Sequence, residues 1–145
     1  LQQIEALVPT RESSEADVGA GRLGFLGEEF TLLEMADRVK NFLGVQTLQI
    51  VGDDNLTVSR IAIACGSGGS FLSEAIAKEC DCLVTGETNL HTCLEAEARG
   101  VGLILPGHFA SERFALHSLA EYLSDQISNI EVWASLAERD PLRSV

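Results

Sequence analysis

The sequence has 145 residues, which corresponds to one domain at about 100–200 residues per domain. Apolar residues make up 46% of it, enough for a sizeable core, so general disorder is excluded away from the ends. Ten Lys and Arg against 22 Asp and Glu give a net charge of -12. That argues against nucleic acid or an anionic membrane surface as the partner, because both require a basic face.

Cysteines stand at 65, 80, 82 and 93. Their spacing fits neither a zinc ribbon nor a small disulfide scaffold, so we expect reduced, mostly buried thiols. There is no run of some 18 apolar residues that could span a membrane, and no charged-then-apolar leader, which points to a cytoplasmic protein. The chain opens on Leu1 and its single Met is Met35, as expected of a processed chain or a fragment.

In chain order, residues 1–17 read as a lead-in arm or helix ending in a loose polar loop from Thr10 to Asp17. Gly19, Gly21 and Gly24 mark a strand over Val18 to Phe25; the third glycine and acidic residue of a dinucleotide site do not follow. Thr31 and Glu34 form a capping-box pattern. Leu32, Met35, Ala36, Val39, Phe42 and Leu43 then recur at helical spacing until Gly44. Leu48 to Val51 and Val58 to Cys65 read as strands around a Gly52–Asn55 turn.

Beyond Cys65 the pattern alternates. A glycine-rich loop, Gly66-Ser67-Gly68-Gly69-Ser70, precedes a helix through about Lys78. The strand Cys82 to Val84 precedes a helix to about Arg99. The strand Val101 to Leu105 precedes a long helix from His108 to Gln126, and Ile130 to Trp133 reads as a final strand. This predicts an α/β fold with a mixed, largely parallel sheet and helices packed on it. The lobe covers residues 18–135, and 136–145 form a polar tail.

In such a sheet functional groups gather beyond the carboxyl ends of the strands. The loops at 65–70, 85–87 and 106–108 should therefore share one edge. His108 and Glu112 are four residues apart, on one face of a helix, the spacing with which a helix offers an imidazole and a carboxylate to one metal ion. The apolar stripe Leu116, Leu119, Leu123 continues from Glu112 and predicts that Glu112 points inward. Read without a ligand, the same pair is a helix-start histidine and a carboxylate favoured by the helix dipole. His117 reads as a surface residue. Glu87 and His91 repeat the spacing in the second loop, where Thr85 or Thr88 is the expected cap. The first loop lacks the Lys of a phosphate-binding P-loop, although its amides could still meet an anion.

Four ordered motifs carry a wider resemblance: Gly19-x-Gly21-Arg22-x-Gly24, Cys65 to Ser70, Thr85-Gly86-Glu87 with His91, and Gly107-His108-Phe109-Ala110-Ser111-Glu112. Over residues 18–135 the chain resembles the C-terminal lobe of the Nif-three-like family, often labelled GTP cyclohydrolase type-I class-two-like. The resemblance implies a two-lobed, metal-dependent protein with hydrolase-type activity that often forms ring-shaped hexamers. It implies divalent metal ions (zinc, manganese or iron) held by His108 and Glu112, in a cleft lined by Cys65, Gly66, Ser67, Gly68, Thr85, Gly86, Glu87 and His91. The family's remaining ligands, an adjacent His pair and an Asp, belong to an N-terminal lobe. This chain has only three histidines, none adjacent, so that lobe is expected to be missing and the isolated chain to bind metal weakly or not at all. A homo-oligomer formed through the exposed cleft face is the expected assembly. The reading from a different class is a non-catalytic assembly or regulatory module with an incomplete site.

Overall fold

The structure, a computed structural model, describes residues 1–10 and 18–143. Strands β1 (Gln2–Pro9), β2 (Gly19–Thr31), β3 (Gln49–Val51), β4 (Thr57–Ala64), β5 (Cys82–Thr85) and β6 (Gly102–Leu105) form one sheet in the order β1-β2-β4-β5-β6-β3. Helices α1 (Leu32–Leu43), α2 (Leu72–Ala77), α3 (Leu90–Arg99) and α4 (His108–Gln126) pack on it. The α/β fold and mixed sheet are as expected. Parallel pairing is confined to β4-β5 and β5-β6; the other three pairings are antiparallel.

Strand alternation divides the core between two faces. Ala62, Leu83 and Leu103 point to one face, with Leu72 and Ala75 of α2 and Ala96 of α3. Ile61, Cys82, Val84 and Ile104 point to the other, with Leu32 and Ala36 of α1. Both ends of α1 form as the sequence predicts. The Thr31 hydroxyl accepts from the Glu34 amide at 3.2 Å, the Glu34 carboxylate accepts from the Thr31 amide at 2.8 Å, and Gly44 closes the helix at φ 66°.

Three local expectations are corrected. The lead-in is a strand: β1 pairs antiparallel with β2, and its register shifts between Gln2 and Glu5. Of the loop expected from Thr10 to Asp17, residues 11–17 lie outside the described residues; Thr10 itself donates its amide to the Val18 carbonyl at 2.9 Å. No strand forms over 130–133, so the lobe's last regular element is α4. Among the described residues no helix is long and apolar enough to cross a membrane. Of the cysteines, all free, Cys80 and Cys82 are buried, Cys93 is half-buried and Cys65 is exposed, against the expectation of burial.

Candidate metal half-site

The registers Ala64–Thr85 and Val84–Ile104 align the carboxyl ends of β4, β5 and β6. The three loops therefore meet, as predicted, and backbone hydrogen bonds tie them together. The Glu87 amide donates to the Gly66 carbonyl at 3.0 Å, and the Gly107 amide donates to the Gly86 carbonyl at 2.9 Å. Two buried hydroxyls complete the knot. Thr85 accepts from the Gly68 amide at 2.9 Å and donates to the Gly66 carbonyl at 3.2 Å. Ser111 accepts from the Gly66 amide at 2.9 Å and donates to the His108 carbonyl at 2.8 Å. These bonds use the amides of Gly66 and Gly68, two of those that the glycine-rich loop could have offered to an anion.

The glycines are explained by this crowding. A Cβ on Gly86 would lie 2.5 Å from the Ser111 hydroxyl and 2.9 Å from the Cα of His108. One on Gly66, which sits at φ 67°, would lie 2.4 Å from a Glu112 carboxylate oxygen. At Gly86 the backbone of His108 stands too close for any side chain, and at Gly66 the left-handed φ favours glycine, so the two glycines let the loops close on α4.

His108 stands between two carboxylates. Its Nδ1 lies 2.9 Å from Glu87 Oε1 and its Nε2 lies 3.3 Å from Glu112 Oε2. Glu87 is held in turn by the Ser67 hydroxyl, which donates to the same oxygen at 2.9 Å. The hydrogen bond to Glu87 is the main cause of a raised His108 pKa; partial desolvation opposes it and Glu112 adds to it. The Glu87 carboxyl is lowered below the usual carboxylate range by His108 first and Ser67 second. Partial desolvation raises the pKa of the Cys65 thiol, and the charge of Glu112 adds to it.

The structure thus brings together His108, Glu112, Glu87, Ser67, Cys65, Gly66, Gly68, Thr85 and Gly86. It does not bring in His91. Asn89, not Thr85 or Thr88, caps α3, accepting from the Thr92 amide at 3.0 Å. Glu87 therefore precedes the helix and turns to His108, while His91 is exposed on the first turn. Glu112 is also not inward-facing: its side chain is 55% exposed, and Leu116 and Leu119 on the same stripe are exposed. His117 is exposed, as expected, on a groove beside Trp133.

Two features escaped the sequence. Ser111, three residues after His108, is the hydroxyl that joins the first loop to α4; the i, i+3 spacing placed it on the same side of the helix. Arg113 holds the segment after α4, donating to the Ser135 carbonyl and pairing with Glu138 at 3.2 Å. Asp140, Pro141 and Leu142 consequently wall a cavity of about 500 Å³ that contains Glu87, His108 and Glu112.

A carboxylate at neutral pH can only accept, so the nitrogen facing Glu87 carries a proton. Nε2 faces Glu112 in the same way, so the row favours the imidazolium in the metal-free chain; with Nε2 unprotonated, an Nδ1–H held by Glu87 is the arrangement by which an outer carboxylate orients a metal-ligating histidine. One imidazole nitrogen beside one carboxylate suits a divalent ion such as zinc, manganese or iron. Among the described residues, no group of three or more His, Cys, Asp or Glu side chains is arranged to hold a metal ion. The residues fit half of a site.

A sequence profile of the family described as Duf34/NIF3 (NGG1p interacting factor 3) matches residues 1–141. This chain belongs to the Duf34/NIF3 family. It is similar to a GTP cyclohydrolase 1 type 2 homolog of Clostridium perfringens, 30% identical over 97% of this chain and 54% of that protein. It is likewise similar to the NIF3 homolog of Schizosaccharomyces pombe, 33% identical over 98% of this chain and 53% of that one. The solved structure of a Bacillus cereus protein related to NIF3 superposes with a TM-score of 0.85 at 28% identity, covering 92% of this chain and 38% of the other. The chain spans about half the length of the two curated Duf34/NIF3 relatives, as expected of a single lobe.

Proposed function

We propose that this lobe supplies His108 and Glu112 to a divalent metal site that residues outside the chain complete, and that the intact protein has hydrolase-type activity. The observation that carries the reading is the carboxylate–imidazole–carboxylate row: Glu87 lies 2.9 Å from Nδ1, and Nε2 faces Glu112 at 3.3 Å. Glu87 is the orienting group, Ser67 steadies Glu87, and Ser111 fixes the first turn of α4 against the glycine-rich loop. A bound divalent ion would supply Lewis acidity, lowering the pKa of a coordinated water and polarising an oxygen of the substrate. The missing donors would come from the remainder of a longer protein or from another chain, since two protein ligands hold a metal weakly against water. Zinc, manganese and iron all suit the donor set, and a homo-oligomer that joins two faces of the site is the assembly that suits this reading.

A second reading is favoured by one observation, the absence of a three-ligand cluster among the described residues. In that reading the lobe is a non-catalytic assembly or regulatory module. Metal content of the intact protein, measured by mass spectrometry, separates the two. His108→Ala and Glu112→Ala should each lower bound metal at least several-fold while the melting temperature stays put. Wild-type metal content in both variants would sink the ligand assignment.

A further inference from the structure

Behind the loops that carry His108 and Glu112, between α1 and α4, lies a cavity of about 130 Å³. Met35 and Phe42 of α1, Ile63 of β4, Val84 of β5 and Phe114 of α4 form its walls. Phe42 and Phe114 meet edge to face, ring centres 5.4 Å apart, and bridge the two helices. Cys65, Thr85 and Ser111 stand at its polar end. The hydroxyls of Thr85 and Ser111 each donate to one backbone carbonyl and accept from one backbone amide, so neither has a proton left to offer a ligand. The cavity is therefore selective for apolar matter. Its size approaches the ~150 Å³ of a dry apolar cavity that takes up benzene. Cys65 and Ser111 directly adjoin Gly66 and Glu112, and a Cβ on Gly66 would touch Glu112 at 2.4 Å, so this end of the cavity abuts the half-site.

We propose that this cavity is the binding subsite for a small aromatic or branched aliphatic group, belonging to a molecule whose polar end lies beside His108 and Glu112. What the polar end undergoes rests on the metal-site reading; the cavity itself does not, and its test contains no metal. Met35 is the chain's single methionine, so a protein labelled with ¹³C-methyl methionine gives one methyl signal from the cavity wall.

Titrated with benzene, that signal should shift and saturate. Ile63→Phe, which fills the cavity, should abolish the shift. Phe42→Ala, a change at a side chain that is 74% exposed, should keep the fold and weaken binding several-fold. Benzylamine, with its cation placed toward Glu112, should bind several-fold more tightly than benzene and lose that advantage in Glu112→Gln. A shift that never saturates, or saturable binding unchanged in both the Ile63 and Phe42 variants, would overturn the subsite. Benzylamine binding no more tightly than benzene would overturn its juxtaposition with the half-site.

Discussion

Glu87 Oε1 lies 2.9 Å from His108 Nδ1 although 21 residues separate the two in sequence. Neither is brought there by its own helix alone. Glu87 sits in the loop after β5 because Asn89 starts α3 two residues later, and His108 opens α4 directly after β6. The parallel pairing of β5 and β6 sets the two loops side by side. The sheet thus assembles a carboxylate–imidazole–carboxylate row that local spacing alone could not supply.

The row has a pH signature in the metal-free chain. Glu87 chiefly, with Glu112, raises the His108 pKa, so its imidazole should titrate above the ordinary value near 6.5 in a ¹H–¹⁵N spectrum. The proton is bound more tightly in the folded chain. Its stabilising contribution is complete below the unfolded value and is lost as pH rises through the folded value. Glu87→Gln should bring the His108 titration down. An unchanged midpoint would show that the contact does not persist in solution.

Ser111→Ala should destabilise the chain by about 1–3 kcal/mol, because it strands the buried Gly66 amide. Urea denaturation measures this directly. A change within a few tenths of a kcal/mol would mean that water replaces the hydroxyl.

Gly86→Ala should cost a comparable ~1–3 kcal/mol through overpacking, since its Cβ meets Ser111, Gly66 and His108. The same experiment checks it. Retained stability together with an unshifted His108 signal would contradict the crowding argument.

Much of this arrangement was legible in the sequence, and the exceptions have particular causes. The β–α alternation after Cys65 gave the parallel strands and hence the shared edge. The capping box at Thr31 and Glu34 set the start of α1. β1 does not show in the pattern because its regular stretch buries both Ala6 and Leu7, which are adjacent and so point to opposite faces, and the two-residue alternation is lost. Ile130 to Trp133 alternates like a strand, but alternation does not provide a sheet edge to pair with. Instead Val132 and Trp133 line a groove with α4. The stripe Leu116, Leu119 marks a face in want of cover, and no described element of the chain covers it. Sequence spacing pairs Glu87 with His91, because spacing within a segment is visible in a sequence, whereas contact between segments depends on strand register.

The segment after α4 offers a further check. Arg113 anchors it at Ser135 and Glu138. Arg113→Ala should free it, lowering the fluorescence anisotropy of the single Trp, Trp133, and speeding tryptic cleavage after Arg139 several-fold. Unaltered anisotropy and cleavage would show that the apolar contacts of the tail hold it without Arg113.

Manganese titration of the metal-free chain, followed by NMR, tests the half-site most directly. Mn²⁺ broadens signals near the place where it dwells, even when it is weakly held. The expected result is that the His108 imidazole and the Glu112 amide broaden first, ahead of His91 and His117, and that His108→Ala abolishes the preference at Glu112. Broadening spread evenly over the acidic surface, or a pattern unchanged in His108→Ala, would contradict the assignment of His108 and Glu112 as metal ligands.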